Sequence, residues 1–284
     1  MHDAAVMGRA GGENFPVASR VLPRRSRTHL LALYGYARLV DEVGDSPRGD
    51  RSPQQAAQER LAALEELEAD LDRAYAGRAR HPLLARLTPT LRACELPREP
   101  FVRLIEANRM DQRVSAYETW EQLAGYCELS ANPVGELVLR IFGLATPARI
   151  ARSNEICTAL QLAEHCQDVA EDLALGRIYL PAQDLERFDC GVAELAAAHA
   201  GASLRAVLAF QVARARELLA RGGELIGTLP GLRERLAVAA FAAGGRAALD
   251  AIEAAGFDVL AGPPRAGRWR RARALGATLR ESRR

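Results

Sequence analysis

Apolar residues recur at three- and four-residue intervals along almost the whole chain, and no segment sustains the alternating rhythm of a strand. Ala, Leu, Arg and Glu, all good helix formers, dominate. The pattern predicts a first long helix over 25–45, closed by the Gly/Pro/Ser loop "GDSPRGDRSP". Pro53 then suits the first turn of a helix reaching toward 78. Further helices are expected over 82–94, 97–113, 119–130 and 133–142. One continuous helix is expected over 147–172, followed by two more over 203–229 and 232–255. "AGPPRAG", 261–267, reads as a linker into a basic tail. With no internal repeat and no earlier break in composition, the expected organisation is one all-α domain over 1–262 and a tail over 263–284.

Two of these helices carry carboxylates in a costly register. "LQLAEHCQDVAEDLALGRIYLP" places Glu164, Asp168 and Asp172 four residues apart, on one face over successive turns. Like charges so spaced repel by about 0.2–0.5 kcal/mol per pair even on an exposed helix. In "LYGYARLVDEVGDSP", Tyr34, Arg38, Asp41 and Asp45 share a stripe, with Glu42 beside it. A lone acidic pair at this spacing is usually ordinary surface. Two such stripes, one near Arg38 and Tyr34 and the other near Arg177 and Tyr179, point to chemistry. Facing each other across a bundle, they would form an oxygen-rich cage suited to Mg²⁺. Such ions can hold a diphosphate, whose remaining oxygens arginines take in bidentate fashion. Metal and arginine then stabilise the departing charge, and aromatic faces in a dry pocket stabilise the carbocation left behind.

Composition narrows the classes. The 284 residues are 49% hydrophobic, enough for a sizeable core, and the net charge of +2 does not suit a nucleic-acid binder. All the Lys+Arg residues are Arg. The five cysteines are scattered without a CxxC pair, which supports neither a zinc site nor a disulfide framework and suits reduced thiols in the cytoplasm. No apolar run is long enough for a signal peptide or a membrane span. In the tail, Arg265, Arg268, Arg270, Arg271, Arg273, Arg280, Arg283 and Arg284 face only Glu281, with Trp269 and Leu275 among them. The plain reading is a solvated segment. The alternative is peripheral attraction to anionic membrane lipid, worth about 1 kcal/mol per basic residue near the surface.

Three stretches in order, "ENFPVASRVLPRRSRTHLLALYGYARLVDEVGD", "IEANRMDQRVSAYETWEQLAGYCELSANPVGELVL" and "LQLAEHCQDVAEDLALGRIYLP", resemble the squalene/phytoene synthase family. The resemblance implies a single-domain class I isoprenoid synthase, a helical bundle with a central active-site cavity. Within the family, "GGENFPVASRVLPRR", "YCELSANPVG" and the Gln-Asp-Val at 167–169 are most similar to the bacterial hydroxysqualene synthase branch of hopanoid pathways. That branch ionises presqualene diphosphate made by a sister enzyme, lets the cation rearrange, and captures it with water. It implies two or three Mg²⁺ ions and no NADPH. Sister activities of the same fold, condensing farnesyl diphosphate to presqualene diphosphate or geranylgeranyl diphosphate to phytoene, are the alternative. A non-catalytic scaffold should have lost the acidic stripes.

Carried over by residue, the resemblance implies that Asp41, Glu42 and Asp45 form the first metal motif and that Asp168 and Asp172 form the second. Arg38, Arg177 and Tyr179 match diphosphate contacts, and Asn14, Phe15, Tyr34, Asp111, Tyr126 and Gln161 match positions that hold substrate. Core packing is the plain reading for Phe15, Tyr34 and Tyr126, a surface ion pair for Arg38, and a helix-end cap for Asp111. The chain departs from the pattern at Glu164, where Asn is usual, which makes Glu164 a candidate metal ligand. His165 and Cys166 replace bulkier apolar residues. His165 lies on the stripe of Asp168 and reads first as a half-buried, hydrogen-bonded histidine.

Overall fold

Pro at the first turn and a polar residue before it start several of the helices. In the computed structural model, which describes residues 21–47 and 49–281, helix α1 (Arg24–Gly44) is followed by α2 (Pro53–Tyr75). Ser52 caps α2 by accepting from the Gln55 backbone, and the Gln55 side chain accepts from the Ser52 backbone in return. Then come α3 (Pro82–Ala93), α4 (Glu99–Met110), α5 (Trp120–Ser130) and α6 (Asn132–Ile141). Thr119 caps α5, and Thr146 caps α7 (Pro147–Gln167). Short α8 (Val169–Ala174) and α9 (Ala182–Arg187) precede a 3₁₀ turn, Val192–Ala196. The long helices α10 (Ala202–Thr228) and α11 (Leu232–Ala254) and a last helix, α12 (Arg268–Glu281), complete the chain. No strand occurs among the described residues, where a lone parallel bridge joins Ala116 to Ile178.

One apolar core gathers around α7, α10 and α11, and a second around α1 to α4. The position of α7 depends on residues without side chains. A Cβ on Gly222 of α10 would stand 2.7 Å from Ile156 Cγ1 and 2.9 Å from the Arg152 carbonyl. One on Gly245 of α11 would stand 2.5 Å from Leu160 Cδ2. At Gly222 the α7 backbone itself stands in the way, so α10 approaches α7 at a distance that a Cβ would not allow.

Two expectations are revised. The helix expected over 147–172 ends at Gln167 and restarts at Val169, because Asp168 takes φ −102° and ψ 18°. The Asp168 and Asp172 amides still donate to the carbonyls four residues earlier, at 2.9 and 2.8 Å, so the acidic spacing survives the break. The expected basic tail is, up to Glu281, the packed helix α12. Its Ala274, with Ala266 before it, packs on Ala243, Ala247 and Ala251 of α11, and Thr278 is buried as well. Arg246 grips Glu281 through two contacts of 2.8 and 2.7 Å. Small residues four apart among arginines make a packing face that average hydropathy conceals.

Candidate active site

Tyr34, Arg38 and Asp41 line a cavity of about 230 Å³ together with Gln161 and Glu164 of α7. Leu30, Leu33, Val134, Val138, Leu160 and Phe241 give it apolar walls. Arg38 Nη1 lies 3.7 Å from Asp41 Oδ2, while its Nε is buried without a hydrogen-bond partner. Asp45 caps the C-terminal end of α1 and its carboxylate is 47% exposed. Glu42 is partly buried beside them.

The end of α1 is held firmly. Gly44 presses on α4 so closely that a Cβ would stand 1.9 Å from Asn108 Oδ1. Gln112 donates through Nε2 to the carbonyls of Gly44 (3.1 Å) and Asn108 (3.0 Å). From α2, Arg60 donates to the Ser46 carbonyl at 3.0 and 2.7 Å and to Gln112 Oε1 at 3.3 Å.

The second motif reaches the first through the turn that follows α8. Gly176, at φ +79°, reverses the chain in a conformation that favours glycine. Arg177 then extends to Asp45, Nη1 to Oδ1 2.9 Å. The Ile178 amide donates to the Ser115 carbonyl (2.7 Å), and that of Ala182 to the Tyr117 carbonyl (2.9 Å). This pairing lays Tyr179 over Tyr117, with ring centroids 5.9 Å apart and planes 21° apart.

Asp111 ties these parts together. It caps the C-terminal end of α4, and its carboxylate accepts from the hydroxyls of Tyr126 (2.9 Å) and Tyr179 (2.8 Å). Burial pushes the Asp111 carboxyl up, opposed by Arg177 and the two hydroxyls and reinforced by Asp45. Burial and the Asp111 charge push both tyrosine hydroxyls well above their ordinary value, so they remain protonated donors. Asp111 thus stands at a helix end, as its plain reading has it, and also lies against Tyr126 and Tyr179.

His165 is more deeply placed than its sequence position suggests. It is 5% exposed and stacks on Tyr179 at 3.9 Å and 14°. Its Nε2 lies 3.2 Å from Gln161 Nε2, and its Nδ1 lies 3.9 Å from Asp172 Oδ2. With Tyr117, Tyr126 and Tyr179 it forms a buried aromatic cluster.

The carboxylates crowd each other at helix ends. Asp41 and Asp45 stand at the C-terminal end of α1, and Glu164 and Asp168 at that of α7, where the helix dipole disfavours negative charge by about 0.3–1 kcal/mol each. Asp41 is pushed up to about 6 by enclosure in the cleft and by Asp45 and Asp111, against the pull of Arg38 and Asn108. Its side chain stays 48% open to the cavity, so a water-borne cation can reach it. Asp168 is also pushed up to about 6, by enclosure and by Glu171 and Asp172.

Not everything converges. Asp172 lies with Arg177, Tyr179 and His165 in a separate small recess, while Glu164 shares the main cavity with Asp41. Among the described residues no three side chains of metal-binding type gather round one point, so side chains alone do not assemble the expected cage. Asn14 and Phe15 lie outside the described residues. Tyr117, Asn108 and Gln112 escaped the sequence reading. Tyr117 packs in the site only through a pairing with residues more than sixty positions away, which no local pattern reports.

Comparison with known proteins bears on the family and the fold. Residues 9–273 match the profile of the squalene/phytoene synthase family. A hydroxysqualene synthase of Sinorhizobium fredii is 34% identical over 232 residues, 80% of this chain and 74% of its own. A presqualene diphosphate synthase of Rhodopseudomonas palustris is also 34% identical, over 75% of this chain and 74% of its own. The crystal structure of squalene synthase HpnC from Alicyclobacillus acidocaldarius superposes with a TM-score of 0.78 at 43% identity, covering 90% of this chain and 95% of its own.

Proposed function

Because this chain belongs to the squalene/phytoene synthase family, whose members act on isoprenoid diphosphates, we propose that it ionises presqualene diphosphate and captures the rearranged cation with water, giving hydroxysqualene. The Arg177–Asp45 contact carries the reading. It joins the turn after the second acidic motif to the first, one turn from Asp41, which lines a cavity with largely apolar walls. The similarity to HpnC supports the choice of branch.

The oxygen donors suit Mg²⁺, which takes some ligands from carboxylates and others from water and phosphate. Asp41, Glu42, Asp45, Glu164, Asp168 and Asp172 are the residues that would hold it. Charge crowding at two helix ends fits a site completed by cations. When bound there, Mg²⁺ would supply electrostatic stabilisation to the leaving diphosphate. Arg38 and Arg177 bind the diphosphate, and the carbon–oxygen bond breaks with its electron pair leaving on that group. Tyr34 and Phe241 line the cavity and present aromatic rings to the cation, while Asp111 holds Tyr126 and Tyr179 in the buried cluster. The apolar walls leave water few places to approach, and the water that adds loses a proton to give the alcohol.

The test is incubation of the purified chain with presqualene diphosphate and Mg²⁺ without NADPH. A C30 alcohol is expected, with little product from farnesyl diphosphate alone. A second reading, condensation of farnesyl diphosphate, is favoured by the equal identity to the Rhodopseudomonas presqualene diphosphate synthase. Efficient turnover of farnesyl diphosphate would establish that reading instead.

A further inference from the structure

His165 is a buried polar residue that the reaction leaves without a role. It lies flat against the Tyr179 ring, and each of its nitrogens has its own neighbour. Nδ1 is 3.9 Å from Asp172 Oδ2, and both residues line a recess of about 10 Å³, room for about one water. Nε2 is 3.2 Å from the amide nitrogen of Gln161, one turn earlier on α7.

The two contacts call for the same tautomer. The Asp172 carboxylate only accepts, so the neutral ring carries its proton on Nδ1, and Nε2 is left with a lone pair. Of the two ends of the Gln161 amide, only the NH₂ group can satisfy that lone pair. The Gln161 carbonyl oxygen is thereby turned away from the ring, and among the described residues it makes no hydrogen bond. Gln161 lines the main cavity from α7, with Glu164 one turn ahead of it and Cys157 and Leu160 behind. It stands between the carboxylates and the apolar walls, where the carbon that loses diphosphate would lie. Arg38, Asp41 and Glu164 in the same wall are assigned to metal and diphosphate, whereas Gln161 is neutral.

We propose that His165 is a positioning residue: it holds the Gln161 amide by its nitrogen, so that the carbonyl oxygen faces the cavity and orders the water that captures the cation. The proposal rests on the water-capture reading above. One O–H of the water donates to Gln161 Oε1, and the water oxygen forms the new carbon–oxygen bond with its lone pair. The proton then shed passes to the released diphosphate, because a neutral amide does not take it up. An unheld Gln161 could present its NH₂ group instead, which would engage the lone pair needed for attack. Fixing the amide removes that loss before the cation forms.

The experiment follows products. The full chain is incubated with presqualene diphosphate and Mg²⁺ without NADPH, and substrate consumed, C30 alcohol and the C30 hydrocarbon from proton loss are quantified separately. His165→Phe keeps a flat ring for Tyr179 and removes both nitrogens. It should lower the ratio of alcohol to hydrocarbon about tenfold, the scale of one hydrogen bond, with substrate consumption within about threefold of wild type. His165→Gln puts an amide oxygen near the place of Nε2, so the ratio should stay within about threefold of wild type. Gln161→Leu should lower the ratio as much as His165→Phe does. The double variant should fall no further than Gln161→Leu alone, since both act through one contact.

An unchanged ratio in His165→Phe would overturn the proposal, even if consumption fell, because a purely structural histidine gives that result. A His165→Gln variant as impaired as His165→Phe, or additive losses in the double variant, would overturn it as well. Should His165→Phe not fold, Gln161→Leu decides, and an unchanged ratio there overturns the proposal. In each of these cases an alcohol-forming wild type leaves the water-capture reading intact. A wild-type protein that makes no C30 alcohol would overturn that reading, and this proposal with it.

Discussion

The two acidic motifs are alike in sequence and different in construction. The first occupies the last turn of α1 and its C-cap, Asp45, after which no helix restarts at once, and that turn is clamped by Asn108 of α4, Gln112 just past it and Arg60 of α2. The second straddles a break, with Glu164 on α7, Asp168 at the junction and Asp172 on six-residue α8. Around it lie an aromatic stack and the segment whose Pro264 carbonyl accepts from Gln167. The first motif is thus a rigid platform. The second is a hinge between two helices, and its geometry depends on what packs behind it. The contrast teaches that equal i,i+4 spacing does not guarantee equal support.

The largest expected effect tests what the motifs share. Asp41→Asn or Asp168→Asn should each lower kcat by at least about 10²–10³-fold, the scale for losing a principal electrostatic stabiliser. Thermal stability without metal should hold or rise slightly, because a repelled charge is removed. Wild-type activity in excess EDTA would sink the metal role of both motifs. If only one substitution is severe, the two motifs do not act as a pair.

Most of the helices were legible because burial repeats every three or four residues, and the caps Ser52, Thr119 and Thr146 mark starts that a sequence displays. The expected bounds of α1, α6, α10 and α11 fall within two residues of those observed. The break at Asp168 was not legible, since nothing in "HCQDVAED" forbids a helix and the interruption comes from tertiary packing. Nor was α12, because its packing face is made of Ala266, Ala274 and Thr278 rather than large apolar residues. Glu164, Asp41 and Arg38 could be singled out from register alone. Tyr117 could not, and neither could the depth of His165, because both depend on contacts remote in sequence.

The next effect probes the link between the motifs. Arg177 is held near Asp45 and Asp111, and Asp111 also orients Tyr126 and Tyr179. Asp111→Asn should lower kcat/KM by about 10–100-fold, or about 1.4–2.7 kcal/mol of transition-state stabilisation. Tyr179→Phe and Tyr126→Phe each remove one hydroxyl and keep the ring, so about tenfold or less is expected from either. If Tyr179→Phe is as damaging as Asp111→Asn, the hydroxyl itself takes part in the chemistry and positioning is the wrong description.

A smaller effect separates the cavity-facing member of the second motif from the others. Glu164 lines the same cavity as Asp41, and its carboxylate can bind Mg²⁺ at least as well as an amide. Glu164→Gln should raise the Mg²⁺ concentration for half-maximal activity several-fold, and Glu164→Asn should retain measurable turnover. A metal titration of the three proteins decides. An unchanged Mg²⁺ dependence in Glu164→Ala would leave metal binding to the aspartates alone.

The smallest effect is on stability against pH, and it compares the motifs without any substrate. Folding raises the Asp41 and Asp168 carboxyls from an ordinary 3.8 to about 6, so each binds its proton more tightly folded than unfolded. Stability from this source is fully present below 3.8 and is lost as pH rises through about 6. Asp111 is also raised and adds to the same trend. In EDTA the wild-type Tm should therefore fall between pH 4 and pH 7 relative to an Asp41→Asn, Asp168→Asn double variant. Mg²⁺ should restore more of the wild-type Tm at pH 7.5 than at pH 5.5, because at the lower pH it must displace protons to bind. Single variants then divide the effect. If the first motif is the more rigid platform, its repulsion cannot relax by movement, and Asp41→Asn should remove the larger share of the slope. A larger share from Asp168→Asn would place the greater strain at the hinge and reverse the contrast drawn between the two motifs.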